Sequence, residues 1–386
     1  MSLPTAESTP RILLAAGGTG GHINPAVALA EALNKLAPQA KVQFVCGARQ
    51  TEWQVYRRQK IEPWVLPIGA QRRGLPAKLR SLLAQLRAFF RARQLLKAAP
   101  AKVAVGFGSY VSVAPLLAAW LGGAKLILHE QNVHRGLANR LLTPFATWIA
   151  TADPPRAGKT LPRKFRHVGN PVRAGFLKPV NREAGRTFFR LHANRPVCFV
   201  SGGSQGAVGV NQLVLDVLGR LRDLEHPASR WQFLWATGPG HYEHVMRQIA
   251  LLGVEPSEHS INPYIDEMTL AYAAADVVIA RAGALTLAEL TVMGQPAVLV
   301  PLPTSAHGHQ LGNARAMERA GAARVLNERD KHAADQLEQW LIEWMEHPEQ
   351  LAGMASASRG LGRPQAAEDL AGLVLESLGL ATTPEA

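Results

Sequence analysis

The chain has 386 residues, 47% of them hydrophobic and 18% charged, with 42 Lys and Arg against 29 Asp and Glu for a formal net charge of +13. One core stops growing at roughly 250 residues, so this length predicts two domains, and the composition excludes a largely disordered chain. The charge calls for an anionic partner: phosphate, acidic lipid or nucleic acid. No apolar run approaches the roughly 18 residues of a spanning helix, and Ile12 to Ala16 is too short for a signal-peptide core, so residence in the cytoplasm is expected. Cys46 and Cys198 each fall in or at the end of a β-like run, which suits buried thiols better than a bridge.

Arg11 to Ala16 reads as a strand, Gly17-Gly18-Thr19-Gly20-Gly21-His22 as a loop, and about Pro25 to Leu36 as a helix. A dinucleotide fingerprint opening at Gly18 would need glycine at position 23, where Ile23 stands, so a nicotinamide cofactor is disfavoured. The glycines would still admit a ligand close to the backbone, and the amides opening the helix favour an anion such as phosphate. The plain alternative is a tight turn. Val42 to Val45 is the next strand. From Gln71 to Lys102 there is no acidic residue, while Arg72, Arg73, Lys78, Arg80, Arg87, Arg91, Arg93, Lys97 and Lys102 all occur. Leu79, Leu82, Leu83, Leu86, Phe89, Phe90 and Leu96 recur there at helical spacing, an apolar stripe beside a basic face. That pattern fits a helix lying on an anionic membrane, or an ordinary helix whose stripe packs on its own sheet. Val103 to Phe107, Leu126 to Leu128 and Ile149-Ala150 continue the strands.

His129 and His134 are five apart rather than four, so they do not share a helix face and a zinc site is rejected. Gly158-Lys159-Thr160 lacks the glycine a phosphate loop needs at position 153, where Asp153 stands. Glycine and proline at Gly169 to Arg173 mark a boundary, giving domains 1–172 and 173–363.

The second half opens like the first. Pro196 to Val200 is followed by Gly202-Gly203-Ser204-Gln205-Gly206 and a helical pattern through Val214, Val217, Leu218 and Leu221. Phe233 to Ala236, Val277 to Ala280 and Ala297 to Val300 are further strands. After Val277 to Ala280 comes Arg281 to Glu289, where glycine turns, Thr286 can cap a helix, its first amides would face phosphate and Glu289 could accept from ribose hydroxyls. Glu289 could equally be a favourable acid near a helix start. A segment from about 364 to 380 is helical and expected to pack back on the first domain. The fold class is α/β: two parallel-sheet, Rossmann-like domains facing each other across a cleft, with ligands at the carboxyl ends of the strands. The chain has no Asp-x-Asp pair of the kind that often holds a cation against a sugar-nucleotide diphosphate, so helix termini and Arg or His would have to supply the positive charge.

Together GGTGGHINP (17–25), GSYVS (108–112), HEQN (129–132), GLANR (136–140), GNPVR (169–173), GGSQGA (202–207), RAGALTLAE (281–289) and HQLGNA (309–314) closely resemble the MurG family. These are the UDP-N-acetylglucosamine:lipid I N-acetylglucosaminyltransferases of bacterial peptidoglycan synthesis. The resemblance covers nearly the whole chain in order. It implies a GT-B fold, a metal-independent inverting transfer with no cofactor, and peripheral attachment at the cytoplasmic face of the inner membrane. It also implies that Thr19, Gly20, Gly21 and Asn132 approach the donor UDP-GlcNAc from the first domain, that Arg173 and Ser204 meet its diphosphate, and that Ile265 meets uracil through its backbone. Ala284, Leu285, Thr286, Leu287, Ala288 and Glu289 would hold phosphates and ribose, and Gln310 the sugar hydroxyls. Lipid I would bind the first domain near Gly17, Gly18, Tyr110 and Asn139. The lipid-linked acceptor gives Leu79, Leu82, Leu83, Leu86, Phe89, Phe90, Arg80 and Arg87 a role against anionic membrane lipid, where other cell-wall synthesis or division proteins could gather. His22 is the leading base, or a hydrogen-bond donor to a diphosphate; Glu130 and His129 are second choices. Gly308 stands where many members have Asp, and Gln71-Arg72-Arg73-Gly74 matches the family's acceptor loop loosely, which leaves fine donor and acceptor contacts open. A UDP-GlcNAc epimerase of the same fold is the rival. A nucleic-acid reader is disfavoured, because Phe89 and Phe90 are the only aromatics among the basic residues and helical spacing explains them.

Overall fold

The computed structural model describes residues 9–69, 75–132, 135–153, 162–305 and 308–380, with the backbone alone for 75–79. The chain divides into two compact units, Met1–Ala174 with Arg363–Ala386, and Gly175–Gly362.

The first unit holds a seven-stranded parallel sheet of β1 (Arg11–Ala15), β2 (Lys41–Cys46), β3 (Trp64–Val65), β4 (Val103–Gly106), β5 (Lys125–Glu130), β6 (Ala146–Thr151) and β7 (Phe165–His167), in the order β3-β2-β1-β4-β5-β6-β7. Side chains alternate across a strand, and both faces of β1 are covered. Ile12 and Leu14 join one core with Ile23, Leu29 and Leu33 of the helix Gly20–Leu36 and with Leu370 and Val374 of the helix Ala366–Leu378. Leu13 and Ala15 join the other, with Ala88, Ala92 and Leu96 of the helix Leu75–Ala98. Burial on both sides is why the run reads as unbroken hydrophobic sequence.

The second unit repeats the plan with β8 (Val197–Ser201), β9 (Gln232–Ala236), β10 (Ser260–Asn262), β11 (Val277–Ala280), β12 (Ala297–Leu299) and β13 (Ala323–Val325), all parallel in the order β10-β9-β8-β11-β12-β13. In each sheet the strand order reverses beside the first strand, between β1 and β4 and between β8 and β11. Ligands of open parallel sheets bind at the carboxyl ends of the strands flanking such a reversal. The first glycine loop follows β1, the second follows β8, and Arg281 follows β11.

Cys46 and Cys198 are free and buried, and burial pushes the Cys46 thiol up to about 12, so neither is a reactive thiolate.

Candidate active site

The helix after the first glycine loop begins at Gly20, a turn before Pro25, so His22 lies in its first turn rather than in a loop. Thr19 is the extended residue before it, exposed and making no side-chain cap, and the first turn has no acidic residue. The opening amides of a helix lack partners within it, so this end attracts an anion. The loop beneath is fixed from three sides: the Tyr56 hydroxyl donates to the Ala16 carbonyl at 2.7 Å, Ser112 Oγ donates to Ala15 at 3.0 Å and bonds Gly108, and Glu52 lies under Gly17. Gly18 has a φ of +91°, open only to glycine at low cost. Ser109, in the loop after β4, sits at φ 68° and ψ 150°, a conformation that costs a non-glycine residue on the order of 1–3 kcal/mol and is held by its surroundings.

His22 Nδ1 lies 2.9 Å from the Phe107 carbonyl. A carbonyl only accepts, so Nδ1 carries the proton and, in the neutral ring, Nε2 keeps a lone pair. Burial pulls its pKa below the ordinary value, opposed by the Phe107 hydrogen bond and the Glu130 charge, so the base form predominates at neutral pH.

The two second-choice bases are both buried. His129 is fully buried on β5, its Nε2 donating to the Gly169 carbonyl at 3.0 Å. Glu130 is 4% exposed and accepts from the Asn132 amide at 3.1 Å, the Gly136 amide at 3.0 Å and Asn139 Nδ2 at 2.9 Å. A carboxylate holding three donors shapes the loop that carries Asn132 and tunes His22. Asn139, expected at the acceptor diphosphate, is buried and donates Nδ2 to Glu130 and to the His129 carbonyl. Tyr110 stands at the surface, its hydroxyl donating to the Gly69 carbonyl at 2.9 Å.

Burial drives the His129 pKa down to about 4. The unfolded chain takes up this proton near 6.5, so the stability from a neutral His129 is complete above pH 6.5 and is lost as pH falls toward 4, up to about 3 kcal/mol. Denaturation midpoints measured across that window should fall less steeply in His129→Gln, which keeps a donor; an unchanged slope would refute the assignment.

In the second unit, glycine is required where the loop after β8 touches its neighbour. At Gly206, φ +75°, a Cβ would stand 2.1 Å from the Thr237 carbonyl oxygen. Ser204 and Gln205 are exposed at the tip, ahead of the helix Val208–Arg222. Asn211 props this loop, donating to the Thr237 carbonyl at 2.9 Å and accepting from Trp235 Nε1 at 3.1 Å. The helix Ala284–Met293 is preceded by Gly283, so Thr286 lies inside its first turn and is not the cap. Ala284, Leu285, Thr286, Leu287 and Ala288 are all half-buried, while Glu289 is 7% exposed and accepts from the Tyr272 hydroxyl at 3.2 Å. Arg281 is committed elsewhere, pairing with Glu328 at 2.7 Å. Asn313 donates to the Ala282 carbonyl at 3.1 Å and so ties the helix His309–Arg319 to this turn. Gln310 Oε1 accepts from the Leu302 amide at 2.9 Å, which turns its Nε2 into the group that can meet a sugar hydroxyl. Ile265 is buried beside the chain end of β10, where only its backbone could meet a base. Arg173 belongs to the first unit rather than the second. Asn211, Tyr272 and Glu52 went unread, because a supporting polar residue carries no motif of its own.

The helix Leu75–Ala98 faces its sheet with Ala88, Ala92 and Leu96, and Phe89 packs against that core. Leu82, Leu83, Leu86 and Phe90 point outward, between 46% and 68% exposed, with Arg80 and Arg87 also exposed. Phe89 therefore leaves the expected outward set. The side chain of Leu79 and residues 71–74 and 307 lie outside the described residues. Trp120 and Leu121, ending the helix Val113–Trp120, and Leu137 and Leu141 of the helix Leu137–Leu142 are likewise exposed. Among the described residues no helix is long and apolar enough to cross a membrane.

Residues 12–151 match the glycosyltransferase family 28 N-terminal domain and residues 197–370 its C-terminal domain. The chain is 38% identical over 372 residues to the UDP-N-acetylglucosamine–N-acetylmuramyl-(pentapeptide) pyrophosphoryl-undecaprenol N-acetylglucosamine transferase of Salinibacter ruber, covering 95% of this chain and 96% of that one. The crystal structure of Acinetobacter baumannii MurG superposes with a TM-score of 0.70 at 28% identity, over 96% of this chain and all of that one. The UDP-GlcNAc 2-epimerase of Neisseria meningitidis also superposes, at a TM-score of 0.64 over 95% and 99% of the two chains, but at 14% identity this shows the shared fold alone.

Proposed function

This chain belongs to glycosyltransferase family 28, with the two Rossmann-like domains of the GT-B fold, and from that premise we propose how its residues carry the reaction. It is a UDP-GlcNAc-dependent hexosyltransferase of peptidoglycan synthesis, moving N-acetylglucosamine to the 4-hydroxyl of MurNAc in lipid I to form lipid II. The transfer inverts the anomeric carbon, so one base must take the acceptor's proton as the hydroxyl attacks, and positive charge must meet the departing UDP.

His22 is that base. The observation that carries the assignment is the 2.9 Å bond from Nδ1 to Phe107, which leaves a neutral ring with its lone pair on Nε2 in the first turn of a helix whose end favours anions. The donor rests on the second unit: Ser204 and the first turn at Ala284 meet the diphosphate, Glu289 the ribose and Gln310 the sugar, with Ile265 at the uracil. From the family resemblance, Arg173, Thr19, Gly20, Gly21 and Asn132 of the first unit are proposed donor contacts, Arg173 for the diphosphate. The acceptor diphosphate lies over Gly17 and Gly18, beside Tyr110. No metal or cofactor is needed, since helix termini and arginine supply the charge. The test is labelled UDP-GlcNAc with purified protein, with and without a lipid I analogue, in EDTA. Lipid-dependent labelling in EDTA supports this reading. Loss of labelling in EDTA refutes the metal-free step, and conversion of UDP-GlcNAc without lipid would make the chain an epimerase.

The exposed apolar side chains of Leu82, Leu83, Leu86 and Phe90, flanked by Arg80 and Arg87, support peripheral attachment to anionic lipid at the cytoplasmic face of the inner membrane, where other cell-wall synthesis proteins can assemble. Inserting one large apolar side chain is worth about 1.5–3 kcal/mol. Phe90→Asp should therefore weaken sedimentation with phosphatidylglycerol vesicles at least tenfold while sparing turnover of a water-soluble acceptor; undiminished vesicle binding would remove this face from the reading.

A further inference from the structure

The proposed seat of the donor diphosphate is built from two segments of the second unit: the loop carrying Ser204, which leads into the helix Val208–Arg222, and the turn from Arg281 to Ala284. One carboxylate contacts both that helix and Arg281. Glu328 stands in the turn after β13, two residues past Leu326, whose amide still donates to the Leu299 carbonyl of β12 at 2.9 Å. Its Oε2 lies 2.7 Å from Arg281 Nη2, and each side chain is only 12% exposed. The contact is an ion pair rather than an aligned hydrogen bond, so charge is what it supplies. The other arm of the guanidinium, Nη1, donates to the Val300 carbonyl at 3.1 Å. The same Oε2 lies against Gly209, in the first turn of the helix Val208–Arg222, so closely that any Cβ there would collide with it. A negative charge beside the first turn of a helix is favourable.

We propose that Glu328 is a positioning residue that, by holding Arg281, sets how tightly the donor site grips diphosphate, an inference that rests on the donor placement proposed above. Arg281 lies three residues ahead of Ala284, where the amides of the next helix favour phosphate. Without its counter-charge the guanidinium would add a full positive charge to the pull of those amides. A buried cation left unpaired is costly, and a phosphate oxygen is the partner that would relieve it. Such a site would also retain UDP after transfer. Glu328 cancels the charge between the two segments, which leaves the helix dipoles to stabilise the leaving group and lets the product go.

The experiment is calorimetric titration of the wild-type enzyme, Glu328→Gln, Arg281→Met and the double variant with UDP and with uridine. Glu328→Gln keeps the shape and removes the charge. UDP should then bind about tenfold more tightly, the order expected of one partly screened unit charge, with a matching rise in product inhibition. Arg281→Met uncovers the carboxylate and should weaken UDP by a similar factor, and the double variant should return toward wild type. Uridine, which has no phosphate, should bind all of them alike, and added salt should shrink both single-variant effects. A merely structural pair cannot give opposite signs, since breaking it from either side would weaken both ligands. Should Glu328→Gln fail to fold, Glu328→Asp, which draws the charge back by one methylene, should tighten UDP by a smaller factor. Unchanged or weakened UDP binding in the Glu328 variant that folds, or a parallel change in uridine, would overturn the proposal. Failure of the donor placement is distinct: the wild-type enzyme itself would then not prefer UDP to uridine.

Discussion

Replacing His22 with alanine should lower kcat by about 10²- to 10⁴-fold, the usual contribution of a positioned general base, with UDP affinity unchanged. The ring is held, not merely present. Phe107 fixes the tautomer from one side, while Gly18 and Gly108 flank it so closely that a Cβ on either would come within 3.8 Å and 3.6 Å of ring carbons. The pH dependence gives a second readout. The base acts only when neutral, so activity rises with pH through the His22 pKa, and because burial lowers that pKa the acid limb of kcat/KM should fall below pH 6.5. Removing the ring should abolish that limb along with the rate. Glu130→Ala tests the rival assignment. It frees the Asn132 and Gly136 amides and Asn139, so it should raise donor KM and loosen the loop while the His22 limb persists at lower pH, because the Glu130 charge that raises the His22 pKa is gone. A His22→Ala enzyme within fivefold of wild-type kcat, with its acid limb intact, would transfer the role of base elsewhere.

The glycine loops were legible because their residue type is dictated by backbone contact. Gly206 cannot bear a Cβ against Thr237, and the same physical need leaves a mark in the sequence. The nine strands read from apolar runs all lie where expected, to within a residue or two at their ends in most cases. The four that were not read, β3, β7, β10 and β13, are the two edges of each sheet. An edge strand has one neighbour and needs only two or three paired residues, so Trp64–Val65, Phe165–His167, Ser260–Asn262 and Ala323–Val325 carry no hydrophobic run. The early start of the first long helix was hidden for a similar reason. Pro25 mimics a helix's opening residue, yet the true first turn holds Gly20 and Gly21, residues of low helix propensity that do not announce a helix. Periodicity also grouped Phe89 and Leu96 with Phe90, since a wide apolar arc does not reveal where its core-facing part ends; Ala88, Ala92 and Leu96 are buried with Phe89 packed against them, while Leu82, Leu83, Leu86 and Phe90 face out. His129, Glu130 and Asn139 have the residue types of catalysis, and their burial and their hydrogen bonds to neighbouring chain are visible only in the structure.

On the donor side, Glu289→Ala should weaken UDP binding by about a hundredfold, the loss of hydrogen bonds from ribose to a charged acceptor at about 1.5–3 kcal/mol each. The carboxylate is aimed by its neighbours: Tyr272 donates to Oε2, and the Tyr272 ring is packed against Phe199 and Phe176 at centroid distances of 5.4 and 6.0 Å. That packing holds the acid one turn below amides that favour phosphate, so under the proposed reading ribose and diphosphate would be read by a single helix. Calorimetric titration with UDP and 2′-deoxy-UDP separates binding from folding. The wild-type enzyme should prefer UDP, and Glu289→Ala should lose that preference, because the hydroxyl then has nothing to donate to. Removing the carboxylate also takes away the hydrogen bond it accepts from the buried Tyr272 hydroxyl and should lower stability, which Glu289→Gln should largely avoid by keeping an oxygen acceptor. Tyr272→Phe leaves the carboxylate in place without this one bond, and should weaken UDP by only a few fold. Equal weakening of both nucleotides in Glu289→Ala would place the acid away from the ribose, as a residue that merely holds Tyr272 beneath the donor helix.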